Sequence, residues 1–201
     1  MLENIKWLGH AGFKITGEKT VYIDPFKIND REPADIIIIT HEHFDHLSPE
    51  DIKKIQTGTT VIVATPDCYS KVSGNVKIIT PGKTLVVDGI KIEAVPAYNL
   101  NKHFHPKANA WIGVIAAING KRIYHAGDTD NIPEMSNLKN IDVALLPVSG
   151  TYVMTAEEAA DAANKINPKV AVPMHYGAIV GTKADAERFK RLCKCKVEIL
   201  G

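Results

Sequence analysis

An apolar run, Ile36-Ile37-Ile38-Ile39-Thr40, leads directly into His41-Glu42-His43-Phe44-Asp45-His46, and no other stretch of the chain constrains its fold as strongly. The isoleucines are β-branched, few, and bounded by Asp35 and Thr40, the pattern of a strand buried on both faces. Ser48-Pro49-Glu50-Asp51 then opens a helix. Ser48 is its N-cap, and Pro49 takes the first helical position, where a missing N–H does no harm. The histidines therefore occupy a loop at the carboxyl end of a strand, the edge at which open α/β sheets place ligand sites. Three imidazoles and Asp45 within six residues offer nitrogen and oxygen donors that zinc or manganese accepts, with no thiolate nearby. His41 and His43 alternate along extended backbone and face one side, while Asp45 and His46 turn towards a neighbouring position. That points to two metals rather than one. A plain histidine-rich surface loop is the weaker reading, because disordered tracts do not sit between a buried strand and a capped helix.

The composition fits one compact enzyme domain spanning residues 1–201. With 45% hydrophobic and 23% charged residues, the chain can bury a sizeable core. Lys+Arg 24 against Asp+Glu 23 leaves a formal charge of +1, so no global field favours nucleic acid or a membrane surface. Met1 to Trp7 lacks the basic-then-apolar pattern of a signal peptide, and no apolar stretch is long enough to span a bilayer. A cytoplasmic location follows as an expectation. Cys68, Cys193 and Cys195 form no CxxC pair. The Cys193-Lys194-Cys195 segment reads as the end of a helix or strand carrying free thiols rather than as a metal site. A homo-oligomer is compatible with this composition.

Short strands dominate the first half. Ile5–Leu8, Gly12–Ile15 and Val21–Asp24, separated by Gly9 and Gly17, read as an antiparallel meander. Val61–Ala64, Val76–Ile79, Thr84–Val87 and Ile90–Val95 are expected to continue it, with Asp88-Gly89 as a hairpin turn. Asn119-Gly120 joins Trp111–Ile118 to Lys121–Tyr124 as a second hairpin. Val143–Leu146 and Val170–Val172 read as buried strands. Besides the helix after Ser48, Thr155-x-x-Glu158 forms a capping box for a helix that stops near Asn167-Pro168. A third helix runs from about Ala184 to Leu192 behind Thr182. Two packed sheets with helices on their outer faces, a layered α/β sandwich, is the architecture these elements imply.

Two further strand ends carry candidate ligands. His125-Ala126-Gly127-Asp128-Thr129 closes one in a glycine turn, and a carboxylate such as Asp128 can offer one oxygen to each of two cations. Pro173-Met174-His175-Tyr176 closes another. His175 alone would more often be a capped structural histidine, but its placement repeats that of His41 and Asp128.

Ile23-Asp24-Pro25-Phe26, Thr40 to His46, His125 to Thr129 and Pro173 to Tyr176 together resemble the metallo-β-lactamase superfamily, in its order and over most of the chain. Trp7-Leu8-Gly9-His10-Ala11-Gly12-Phe13 is similar to the branch of ascorbate-6-phosphate lactonase-like and related metal-dependent hydrolases. The resemblance implies a four-layer αββα fold with two divalent metal ions, zinc or manganese, in the cleft between the sheet edges. It assigns His41 and His43 to the first metal, Asp45, His46 and His175 to the second, and Asp128 to a bridge. Asp24 would hold the histidine loop from behind, joined there by Asn99 and Thr129. The superfamily has a third histidine for the first metal in the region after Val95-Pro96-Ala97-Tyr98, where this chain has Asn99. His105, stiffened by Pro106, is the favoured replacement, and His103 and the Asn99 amide oxygen are the alternatives. The branch resemblance turns His10 towards the cleft, although a structural histidine bonded to a backbone carbonyl fits its turn equally well. His125 reads as buried behind the site.

Two cations about 3.5–4 Å apart can share a hydroxide for attack on a carbonyl carbon or phosphorus. Asp45, and His10 if it points inward, would accept a proton. Lys102 and Lys107 are candidates to hold an anionic small-molecule substrate, although such lysines are more often solvated. A hydrolase of a small ester, lactone or phosphoester is the leading expectation. A di-iron redox protein is disfavoured by His43, where that group usually has Glu. A nuclease is disfavoured by the neutral charge. A metal-stabilised interaction module is disfavoured because structural zinc sites are closed and usually cysteine-rich.

Overall fold

The computed structural model describes residues 2–201. Its first sheet is ordered β1 (Ile5–Gly9), β2 (Gly12–Ile15), β3 (Val21–Ile23), β4 (Ile36–Ile39), β5 (Val61–Ala64) and β6 (Asn75–Ile78). The second runs from β7 (Thr84–Val87) through β8 (Ile90–Pro96), β9 (Ile112–Ile118), β10 (Lys121–His125), β11 (Val143–Pro147) and β12 (Val170–Met174) to β13 (Lys196–Val197). Helix α1 (Pro49–Ile55) covers the outside of the first sheet. Helices α2 (Ala156–Ile166) and α3 (Lys183–Leu192) cover the second. This is the four-layer αββα sandwich. Among the described residues, no helix is long and apolar enough to cross a membrane.

The isoleucine run shows why β4 has no polar face. Ile36 and Ile38 join the core between the sheets with Val114 and Ile123, while Ile37 and Ile39 pack with Leu47, Ile52 and Ile55 beneath α1. Successive side chains point to opposite faces of a strand, so four apolar residues in a row serve two cores. Each buried isoleucine contributes about 2 kcal/mol. On the other side, Ala156, Ala159, Ala160 and Ala163 of α2 are buried, and such small side chains let the helix lie close to the sheet. The Thr155–Glu158 capping box starts α2, and Asn167 in left-handed conformation ends it before Pro168.

The expected meander holds only for β1, β2 and β3. Strands β4, β5 and β6 each pair parallel with their predecessor. Residues 24–35, 40–60 and 65–74 are crossovers, the second carrying α1, and a crossover returns the chain to the end of the sheet from which it started. Strands β7 and β8 do form a hairpin at Asp88-Gly89, both with positive φ, but in the second sheet. Strands β10 to β13 are again parallel. Cys193 and Cys195 are free thiols between α3 and β13.

Asp51 fastens α1 to the chain leaving β3. Its carboxylate accepts hydrogen bonds from Lys27 N (2.7 Å), Ile28 N (3.1 Å), Ser48 Oγ (2.7 Å) and Lys54 Nζ (2.7 Å). Burial pushes this carboxyl up, but Lys54, Ser48 and the Lys27 amide outweigh burial and hold it below the ordinary 3.8. A depressed folded value stabilises the protein above the unfolded pKa, and that stability is lost as pH falls through the folded value. Asp51→Ala, which strands two amide donors, is expected to cost about 2–4 kcal/mol in denaturant unfolding at neutral pH. The gap between variant and wild type should narrow by about pH 3. An undiminished gap in acid would contradict this role.

Candidate metal centre

The carboxyl ends of strands from both sheets meet along one edge. His10 follows β1, Asp24 follows β3, the residue 41–46 loop follows β4, Asp128 lies just beyond β10 and His175 follows β12. Three of these residues hold left-handed backbone: His10 (φ 52°), Asp24 (φ 45°) and His175 (φ 61°). Non-glycine residues take that conformation at a cost of about 1 kcal/mol or more. Hydrogen bonds keep them there. The His10 carbonyl accepts from His175 N at 2.8 Å and from Trp7 Nε1 at 2.9 Å, and Asp24 N donates to the Ile38 carbonyl at 3.0 Å. Gly127 also has positive φ (63°), and a Cβ there would lie 2.5 Å from the Ile112 carbonyl oxygen. Only glycine lets the chain turn Asp128 into the site.

Three groups of potential ligand atoms form, each within 4.8 Å: His41, His43 and His105; His10, Asp45, His46 and His175; and His41, His46 and Asp128. Asp128 joins the first two groups. Its Oδ1 is 3.2 Å from His46 Nε2, and its Oδ2 is 3.2 Å from His105 Nε2 and 3.0 Å from His175 Nε2. His105 is buried among these groups, whereas His103 is exposed. Asn99 does not face the cluster as a ligand. Its Oδ1 accepts from His105 N (2.9 Å) and lies 3.2 Å from His105 Nδ1, so it orients the ring. Thr129 Oγ1 pairs with the Tyr98 and Asp130 backbone and supports the same segment. His10 faces the site, with Nε2 2.8 Å from Asp45 Oδ2.

Hydrogen bonds on the outer ring nitrogens set the tautomers. Asp24 Oδ2 accepts from His46 Nδ1 (2.8 Å) and from Thr40 Oγ1 (2.7 Å), and Thr40 Oγ1 in turn accepts from His41 Nδ1 (3.0 Å). Ser149 Oγ lies 3.1 Å from His175 Nδ1. The Asp24 and Thr40 contacts leave the inner Nε2 lone pairs of His46 and His41 aimed at the cluster. The buried Nε2 atoms of His46, His105 and His175 and Oδ1 of Asp128 have no hydrogen-bond partner among the described residues. Buried polar atoms are rarely left this way, and a cation coordinated by them would satisfy all of them at once. The donor set of imidazoles and carboxylates without thiolate suits zinc or manganese. His125, by contrast, donates from Nε2 to the Ala11 carbonyl and accepts from Gly127 N at Nδ1, so it is a structural histidine.

The ionisable groups of the cluster shift one another. Burial pushes Asp128 up, but His175 and His46 hold it well below the ordinary carboxylate value. Burial pushes His46 down, yet Asp128 and Asp24 raise it well above the usual imidazole value. Burial, reinforced by His46, drives His41 well below it.

Some of the site escapes the motifs. The Trp111 ring lies tilted 4.8 Å from His41 and edge to face 4.7 Å from His43, while its Nε1 donates to Asp67. Ser149 and Tyr152 follow β11, and the repeated use of strand ends is the signal that would have found them. Lys102 and Lys107 are absent from the lining of the cavity that opens on His43, Asp45, His105 and Asp128. Lys102 pairs with Asp130 at 2.7 Å, and Lys107 with Glu134 at 3.1 Å.

A family model described as the beta-lactamase superfamily domain matches residues 4–175. The chain belongs to the metallo-β-lactamase superfamily. A Thermococcus onnurineus member, named a UPF0173 metal-dependent hydrolase, is 35% identical, the match covering 98% of this chain and 94% of its own. A Pyrococcus abyssi protein of the same group is 37% identical over 98% and 95%. Among solved structures, a Parabacteroides distasonis protein is 37% identical with a TM-score of 0.87, over 97% of this chain and 91% of that one. Igni18, a metallo hydrolase from Ignicoccus hospitalis, is 25% identical with a TM-score of 0.80, over 98% and 94%. These superfamily relatives do not single out the ascorbate-6-phosphate lactonase-like branch.

Asp24 offers a direct test of how the site is built. In Asp24→Asn an amide N–H would face His46 Nδ1, forcing that nitrogen to accept and the proton onto Nε2. Zinc affinity, measured by chelator competition, is expected to fall about 10- to 100-fold. Unchanged affinity would show that the tautomer is set elsewhere.

Proposed function

We propose that the chain is a single-domain dinuclear metal-dependent hydrolase acting on a small ester, lactone or phosphoester. The observation that carries this reading is Asp128, whose two oxygens approach imidazoles of both ligand groups. His41, His43 and His105 would hold one cation, Asp45, His46 and His175 the other, and Asp128 would reach both. Two divalent cations in that arrangement supply the Lewis acidity that lowers the pKa of water towards roughly 7 and polarises a substrate oxygen.

The chain's own groups do the rest. Asp45 is held ionised against the upward push of burial by its hydrogen bond to His10 and by the nearby His46. It is the group positioned to take a proton from the attacking water. His10 Nε2 donates to Asp45 Oδ2 and fixes its direction. Asp24 and Asn99 keep the inner nitrogens of His46 and His105 bare.

Zinc- or manganese-loaded protein should hydrolyse at least one member of a panel containing carboxylic esters, a lactone and phosphate mono- and diesters. Asp128→Ala and His46→Ala should each lose at least about 100-fold in kcat/KM while keeping the wild-type circular dichroism spectrum. Wild-type turnover in either variant would refute the proposal.

A further inference from the structure

We propose that the substrate is an uncharged ester or lactone carrying an apolar arm, which Phe44, Phe104, Tyr152 and Ile179 seat beside the metal centre. This rests on the hydrolase reading and adds the substrate class. A cavity of about 270 Å³ is lined by His43, Asp45, His105 and Asp128 together with those four side chains. Phe44, Phe104 and Ile179 stay 69, 47 and 39% exposed around this one opening. Large apolar side chains gathered at the mouth of a site mark what it binds, because each is left in water until a ligand covers it.

The apolar wall is built rather than loose. The Phe104 ring meets Tyr152 edge to face at 4.6 Å, and Phe44 meets Phe26 the same way at 5.9 Å. Asn99 Nδ2 donates to the Tyr152 carbonyl at 3.0 Å, and Asn99 Oδ1 holds His105. The residue that orients a ligand imidazole therefore also ties down the wall against which the substrate would lie.

Charge decides the other half of the inference. No lysine or arginine lines the cavity among the described residues. Lys102 is paired with Asp130, Lys107 with Glu134 and Lys71 with Glu42 at 2.7 Å, while Lys27 Nζ stands over the Phe26 ring at 5.1 Å, outside the cavity lining. A phosphate dianion attached to the substrate arm would meet ring faces and a methyl-bearing side chain, with no cation to offset its desolvation. A carbonyl ester has no such penalty. Its hydrolysis adds the oxygen of one water to the carbonyl carbon and breaks the bond from that carbon to the alcohol oxygen. Of the two water protons, one goes to that oxygen and the other leaves through Asp45 to solvent.

The test compares zinc-loaded protein on 4-nitrophenyl acetate, 4-nitrophenyl hexanoate and mono-4-nitrophenyl adipate, which share one leaving group and differ only in the arm. The hexanoate should exceed the acetate in kcat/KM by roughly tenfold or more, and the adipate, whose arm ends in a carboxylate, should fall about tenfold or more below the hexanoate. Phe104→Ala should bring the hexanoate-to-acetate ratio to within about threefold of one. Val86→Ala, which removes an exposed apolar side chain that does not line the cavity, should keep the wild-type ratio. Preference for the adipate over the hexanoate, or a chain-length ratio that is flat or indifferent to Phe104→Ala, would overturn the inference and leave the hydrolase reading standing. Inactivity on all three compounds would count against the hydrolase reading instead. Saturation-transfer NMR with N-benzylacetamide then decides the apolar wall separately. Binding lost in Phe104→Ala supports it, and no binding to wild type overturns it.

Discussion

The arrangement of the whole site depends on a buried carboxylate that binds no substrate. Asp24, fully buried at the end of β3, accepts from Thr40 N and Oγ1 and from His46 Nδ1, and through Thr40 it reaches His41. A polar group buried this deeply is tolerable because it is hydrogen-bonded on both oxygens. Those bonds decide which nitrogen of two imidazoles carries a proton, and hence which lone pairs face the cluster. The left-handed backbone at Asp24 aims this carboxylate into the loop that follows β4.

Much of this was legible because the chemistry is local in sequence. The run Ile36–Ile39 followed by three histidines and capped by Ser48 specifies a strand, a loop and a helix start by neighbouring residues alone, and each appears where it was read. Gly127-Asp128 and His175 were legible for the same reason, since each closes an apolar strand. Strand direction was not. Whether β5 runs with or against β4 depends on what lies between them, and α1 was read correctly without drawing the parallel crossover that it requires.

The substrate side was hardest to read, because it is assembled from loops. Phe104 precedes His105 and Tyr152 follows Gly150, with no periodic pattern to connect them, yet their rings meet at 4.6 Å. Lys102 beside His103 suggested an anion site. Asp130, three-dimensionally adjacent but distant in sequence, takes up its charge instead. Loop positions are set by long-range hydrogen bonds such as Leu100 N to Asp130 Oδ2, which one sequence does not reveal.

The central claim is that strand ends of both sheets converge on a pair of cations joined through Asp128. Metal analysis by mass spectrometry after exhaustive dialysis in zinc addresses it most directly. Wild-type protein is expected to retain two equivalents per chain, and Asp128→Asn fewer than two. A single equivalent in wild type, or two retained without the Asp128 carboxylate, would contradict it.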